Sequence, residues 1–354
     1  MNNQIKKSNT MKTNQIFGLV IAAIIFFSST EINAQKKSNS LHRKAQVSFF
    51  YPVGSNGQSK AYSSNFSFNY ILGMNGGVNG FEMGGVANHN KGNVLGAQIA
   101  GISNSTYGNV TGVQLGGIAN VTKGSTKGVQ ISGIANVNNG STKGFQLSTV
   151  NVANGETKGF QLGVVNYARK MKGINLGIIN ILGDAEGAIP IGLINIVKGG
   201  YYEVEATGGD ALNANINFKM GVERFYTIFK TGYSTFNNKS VYSYGIGFGT
   251  LIPFTEKHKV SVDLSTNAIG YDGEWNDWND EKNILNKLDI TYRHQLTSKL
   301  SLLAGPSFNH YISEVKIGES FGTLNHSSNL SRNENDTRKK STWIGFNAGL
   351  AFKL

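Results

Sequence analysis

Chemistry, if this chain performs any, should show first in its nucleophiles, acids and metal ligands. The six histidines, His42, His89, His258, His294, His310 and His326, fall at no spacing that metal ligation uses. No G-x-S-x-G elbow, P-loop or H-E-x-x-H occurs. There is no cysteine, which excludes a thiol nucleophile, Cys-ligated zinc, disulfides and a lipoprotein anchor. Paired glycines such as Gly84-Gly85 recur too regularly for a dinucleotide loop, and no helix follows them to receive a pyrophosphate. An acyl hydrolase would need a serine with a positioned histidine, and no such pair stands out. The chain is expected not to be an enzyme, with no catalytic residue, cofactor or metal.

Binding chemistry has better candidates. Residues 271–281 read YDGEWNDWNDE, an acidic run holding two of the three tryptophans. Asp272, Glu274, Trp275, Asp277, Trp278 and Asp280 could offer oxygens to calcium or rings to a sugar. The run lacks calcium-loop spacing, so an exposed, solvated loop is the plainer reading. A second polar loop, about Gly318 to Ser341, ends on Arg338-Lys339-Lys340. The other polar set is periodic. Gln98, Gln114, Gln130, Gln146 and Gln161 recur at one offset of a repeat, while Lys219, Glu223, Asp263 and Arg293 are polar members of alternating segments. Both groups suit the wall of a wet lumen, provided strands place them there.

The elements that would do so are strands. Glycine is 45 of 354 residues, proline 4, and aromatics 10%, which suits many strands joined by tight turns. Apolar and polar residues alternate in 45–51 (AQVSFFY) and 66–72 (FSFNYIL), with turn residues at 54–57 between them. About eight more such strands fill 201–354, among them Leu288, Ile290 and Tyr292 against Asp289, Thr291 and Arg293. The last, Ile344 to Leu354, runs to the final residue, which looks like the assembly signal of outer-membrane barrels.

Between these regions, 80–197 is an internal repeat. Gly80, Gly96, Gly112, Gly128 and Gly144 open copies at a spacing of 16, and Gly159, Gly173 and Ala188 follow at 15, 14 and 15. Asparagines recur at a second offset, as at Asn104, Asn120 and Asn136. Two architectures compete. Each repeat could be one barrel strand, with Val113, Leu115, Gly117, Ala119 and Val121 on lipid and Gln114, Gly116 and Asn120 in the lumen. Alternatively each repeat is one coil of a β-solenoid whose Gln and Asn rows stack. A meander should alternate short and long turns, which these repeats do not; a solenoid needs a core, and paired glycines offer little. Two early strands, eight repeats and eight late strands total eighteen. The preferred expectation is therefore all-β, an antiparallel outer-membrane-type barrel of about 18 strands, with a roughly ten-stranded barrel carrying a solenoid as the alternative.

Export is written at the N-terminus. Lys6, Lys7 and Lys12 precede an apolar run from Ile16 to Phe27, closing on Ala34. That pattern is a secretory signal peptide over 1–34, and its apolar core is too short to span a membrane as a helix. Residues 35–354 are read as one barrel domain. The net charge of +12 comes from lysines scattered through turns rather than from a basic patch, so no nucleic acid is expected.

The unit G-[VF]-Q-[LI]-G-x-[IV]-N stands intact at Gly159-Phe160-Gln161-Leu162-Gly163-Val164-Val165-Asn166. It resembles the surface-repeat proteins of spirochaetes and Bacteroidetes, and Ile189 to Asn195 looks like the variant that closes their arrays. The resemblance covers most of the chain after residue 34 and implies an outer-membrane or surface location, with no activity assigned to particular residues. The expected partners are outer-membrane lipid and lipopolysaccharide, the barrel-assembly machinery, and a small polar solute or surface ligand. A passive channel for small polar solutes is the first functional expectation, and a non-enzymatic surface interaction or adhesion protein the second.

Overall fold

The computed structural model describes residues 41–354 apart from Asn237, 273–280, Gly318, 325–329 and Asp336. The described chain is all-β, in two kinds of sheet: one wound as a parallel solenoid, the other closed as an antiparallel barrel.

The repeats take the solenoid form. One coil consists of Val110–Gly116 and Ala119–Thr122, and the next of Thr126–Ser132 and Ala135–Asn138. Each strand pairs in parallel with its own equivalents in the coils before and after, so Gly112 lies beside Gly128, Gln114 beside Gln130 and Asn120 beside Asn136. Turns that do not alternate between short and long suit such winding, because every coil returns to the same side. The repeats are therefore not barrel strands. The early strands belong here too: Leu41–Phe50 pairs in parallel with Tyr62–Asn75, which pairs onward with Gly77–Gly84. Ten layers stack this way, about 43 Å at the ~4.8 Å spacing between strands. At the N-terminal end Val53–Gly54 folds back antiparallel onto Ser48–Phe50, at the end of the first layer's strand.

In every copy but the last, where Ala188 stands, one glycine turns a corner in a left-handed conformation. Gly112 has φ +137°, and Gly96, Gly128 and Gly144 are alike at +127°, +139° and +140°. A Cβ on Gly112 would overlap the carbonyl oxygen of Gly96 in the layer below. Both the dihedral and the close approach exclude L side chains.

Inside, the coils hold rows of amides beside a buried valine strip (Val78, Val94, Val110), and outside they carry apolar residues. The outward neighbours of the glutamine row form two continuous columns. One runs Val47, Phe68, Met83, Ile99, Leu115, Ile131, Leu147, Leu162, Leu176, Ile191, and the other includes Val113, Val129, Phe145, Phe160 and Ile174. At the adjoining corner Ile102, Ile118, Ile134, Val164, Ile178 and Leu193 are exposed.

The barrel has eight strands rather than about eighteen or ten: Tyr201–Gly209, Ala214–Val222, Phe225–Phe236, Lys239–Pro253, His258–Tyr271, Asn283–Gln295, Leu300–Ser313 and Lys339–Lys353. Neighbours pair antiparallel in chain order, and the first closes on the last, with Glu203 opposite Lys353. Short connections (223–224, 254–257, 296–299) gather at one end with Tyr201 and Leu354. The long ones (272–282, 314–338) gather at the other. The second carries a small hairpin, Lys316–Ile317 with Ser320–Phe321, and Ser331–Glu334 pairs antiparallel with the start of the last strand. Leu264, Phe248, Ile290, Ile344 and Phe346 are exposed on the outer wall.

Candidate functional site

Within the solenoid the amides form two directed ladders. The glutamine row donates toward the N-terminus: Asn175 to Gln161 (2.6 Å), Gln161 to Gln146 (2.8 Å), Gln146 to Gln130 (2.8 Å), Gln130 to Gln114 (2.7 Å) and Gln114 to Gln98 (2.8 Å). The asparagine row donates the opposite way, from Asn69 through Asn88, Asn104, Asn120, Asn136, Asn151, Asn166 and Asn180 to Asn195, each bond 2.8–3.1 Å. Identical residues stack in a parallel register, and an amide is self-complementary there because it donates on one side and accepts on the other.

The last donor of each ladder needs an acceptor beyond the row. Glu82 supplies the first: its carboxylate takes Gln98 Nε2 at 2.7 Å, Asn90 Nδ2 at 2.5 Å, Asn75 Nδ2 at 2.6 Å and Asn69 Nδ2 at 3.3 Å. Burial pushes the Glu82 carboxyl above its ordinary range, against the opposing pull of those four donors. The second terminus lies on the barrel. Asn195 donates to Thr227 Oγ1 at 3.0 Å, and Thr227 donates to the Gly192 carbonyl at 2.6 Å. Thr227 alternates with Tyr226 and Ile228, which face the lumen, so it belongs to the outer wall, near the short-turn end. Val222 packs against the solenoid's last apolar cluster, which includes Ala188 and Val197. Because the ladder runs along the solenoid axis and ends on Thr227, the stack meets the barrel wall end-on.

The glutamines expected in a barrel lumen, Gln98, Gln114, Gln130, Gln146 and Gln161, are therefore fully buried inside the solenoid. Their inward polarity was readable, but the enclosure they face is the coil's own. Lys219, Asp263 and Arg293 do line the barrel interior. Lys219 Nζ lies 2.6 Å from Glu205 and 2.7 Å from Asp263, whose other oxygen accepts from Tyr226 OH at 2.6 Å. Arg293 bridges Glu205, at 2.6 Å, and Glu203. A second group joins Lys230 and Lys287 to Asp289 at 3.0 and 3.4 Å, with Asn347 donating to Asp289 at 2.6 Å. Acids Glu203, Glu205, Asp263 and Asp289 are thus balanced by Lys219, Lys230, Lys287 and Arg293. Glu223 sits apart from them at the short-turn rim, paired with Lys259 at 2.7 Å.

Apolar clusters lie toward both ends of the lumen. Tyr201, Tyr226, Ile228 and Leu251 pack at the short-turn end. Val241, Ile269, Tyr271, Leu285, Tyr311 and Trp343 pack at the other, with Leu324 from the long loop over them. A space of about 50 Å³ beside Glu203 and Arg293 and one of about 20 Å³ beside Lys287 and Asp289 adjoin the charged groups.

Of the acidic loop, Asp272 lies at the strand end, held by Lys239 at 2.8 Å and by the Ser240 amide at 3.0 Å. The Lys239 contact, then the amide bond, lowers its carboxyl below the ordinary range. Glu274, Trp275, Asp277, Trp278 and Asp280 lie outside the described residues. Among the described residues, no group of three or more His, Asp or Glu side chains could hold a metal.

One feature escaped the sequence reading. Lys127, Lys143, Lys158 and Lys172 stack in register, one per layer, on the solenoid exterior. A groove of about 490 Å³ lies beside them, lined by Asn109, Ser125, Ser141, Lys127, Lys143 and Lys158. Glu156 lies 3.5 Å from Lys158 and 3.9 Å from Lys172. The signal was present in the triplets Thr126-Lys127-Gly128, Thr142-Lys143-Gly144 and Thr157-Lys158-Gly159, which a turn-by-turn reading treats as scattered solvated lysines. Comparison of the chain with family models, curated proteins and solved structures finds no match.

Proposed function

We propose that this chain is an outer-membrane protein whose eight-stranded barrel is a closed anchor, and whose long loops and repeat array serve interaction rather than transport. The observation that carries this reading is the filled lumen. Eight strands enclose a space just wide enough for side chains, and here balanced ion pairs occupy it between two apolar clusters. A solute would have to break buried pairs, each break costing about 3–5 kcal/mol.

The outer-membrane setting rests on the export signal over 1–34, the apolar outer wall and the asymmetry of the connections. Short turns of such barrels face the periplasm and long loops face outward. On that assignment the loops at 272–282 and 314–338 are the cell-surface face, while the solenoid joins the barrel at the periplasmic side. The resemblance of the repeats to bacterial surface-repeat proteins agrees with the location.

Planar-bilayer recording of the detergent-folded full chain tests the reading. A folded, heat-modifiable protein that gives no conductance steps is the expected result. Stable, reproducible steps would overturn it and restore the passive channel.

A further inference from the structure

We infer that the solenoid is a lateral arm that lies on the periplasmic leaflet of the outer membrane and binds its anionic phospholipid headgroups; this rests on the membrane anchor proposed above. Three independent features of the coils converge on it.

The first is polarity. Amide ladders run through the solenoid interior, while the exterior carries apolar columns through Leu115 and Val113 and an exposed corner at Ile118, Ile134 and Ile178. The column through Leu115 runs unbroken over ten layers, and a continuous apolar band beside exposed isoleucines marks an interaction or membrane surface. The second is position. The stack ends on Thr227, an outer-wall residue close to the short-turn end. An arm that leaves the wall end-on at that level runs along the membrane plane, at the lower edge of the barrel's own apolar belt.

The third is charge. Lys127, Lys143, Lys158 and Lys172 border the Val113–Ile174 column, separated from it only by the glycine corner. Parallel register stacks these like charges about one strand spacing apart, which is unfavourable unless anions intervene. Glu156 offsets only the end of the row at Lys158 and Lys172, and Lys127 and Lys143 make no ion pair among the described residues. An apolar face with a basic flank is the signature of an interfacial element, its apolar side in the acyl boundary and its lysines at phosphates. Each lysine near an anionic surface favours the bound state about fivefold.

The chain has no cysteine, so single labels can be placed without background. Ile134→Cys and Ile178→Cys report the band, Ser141→Cys the polar edge, and Leu264→Cys the outer wall of the barrel. Each full-length variant is labelled with an environment-sensitive fluorophore and reconstituted in vesicles containing phosphatidylglycerol and brominated lipid. The expected result is quenching at Leu264, Ile134 and Ile178, with none at Ser141. Quenching at Leu264 without quenching at Ile134 and Ile178 overturns the arm while leaving the anchor standing. No quenching at Leu264 overturns the anchor itself, and the arm with it.

If Ile134 escapes lipid quenching yet is shielded from aqueous iodide, protein covers the band, a second copy included, and the lipid assignment fails. The headgroup half is read separately, by replacing Lys127, Lys143 and Lys158 together with Gln. Quenching at Ile134 should rise severalfold from zwitterionic to phosphatidylglycerol vesicles in the parent protein and stay flat in the triple variant. Identical behaviour of the two would remove the phosphates from the proposal.

Discussion

The solenoid and the barrel solve one problem with different chemistry. Both turn apolar residues outward and enclose a polar interior, yet the solenoid fills its interior with neutral amides and the barrel with charges. Register explains the difference. In a parallel stack each residue faces its own copy, so a charge would face a like charge in every layer, whereas an amide can bond to itself indefinitely. In the antiparallel barrel each strand brings different residues alongside, so Lys219 can meet Glu205 and Asp263, and Arg293 can meet Glu203. Repetition selects self-complementary side chains, and reversal permits complementary pairs. Glu82 fits the rule, since it stands at the glutamine position where the ladder stops rather than within it.

The strongest way to break the comparison is to destroy one half alone. Gly128→Val places a β-branched side chain at φ +139° and into the Gly112 carbonyl. The expected cost exceeds about 3 kcal/mol, combining backbone strain and overpacking. Limited proteolysis should then cut within 41–197, while the barrel retains its heat-modifiable gel shift. Loss of that shift as well would mean that the barrel cannot fold without its arm.

A matched pair of interior changes sharpens the chemistry. Lys219→Met leaves Glu205 and Asp263 without their shared cation, and should destabilise the barrel by about 3–5 kcal/mol. Gln130→Leu takes the acceptor from Gln146 and removes a donor from Gln114, and should cost about 1–3 kcal/mol. Urea unfolding of both variants in micelles measures the difference. Equal losses would show that the two interiors are energetically alike despite their different groups.

The smallest effect concerns pH. The folded-state pKa of Glu82 is raised above its unfolded value, so the folded protein holds this proton more tightly. That contribution is complete below the ordinary carboxyl value of about 4.3 and is lost as pH rises through the folded pKa. Solenoid stability should therefore gain a component on acidification from neutrality, and Glu82→Gln should abolish it. A urea midpoint whose pH dependence is the same in both proteins would dismiss Glu82 as the source.

Much of this architecture is visible in the sequence. Alternation such as Leu288, Ile290 and Tyr292 against Asp289, Thr291 and Arg293 marks the barrel strands and their inward faces. The 16-residue spacing of Gln98, Gln114 and Gln130 marks the repeat. Strand direction is not visible, because inward-outward alternation is identical in parallel and antiparallel sheets; this is why Ala45–Tyr51 reads like a barrel strand and proves to be a solenoid layer. The absence of alternating short and long turns was the discriminating clue, and it carries less weight by eye than a strand count. The lysine row and the Glu82 terminus needed the coil register before their residues became neighbours.

Because both ends of the solenoid are specialised and its middle is not, length is a free variable. The fold-back at Val53–Gly54 finishes one end and Thr227 receives the other, so neither depends on how many layers lie between. Gain or loss of one repeat by recombination would move the tip outward or inward by about 4.8 Å. Neither anchor nor cap would change, leaving a reach that can be set in whole steps.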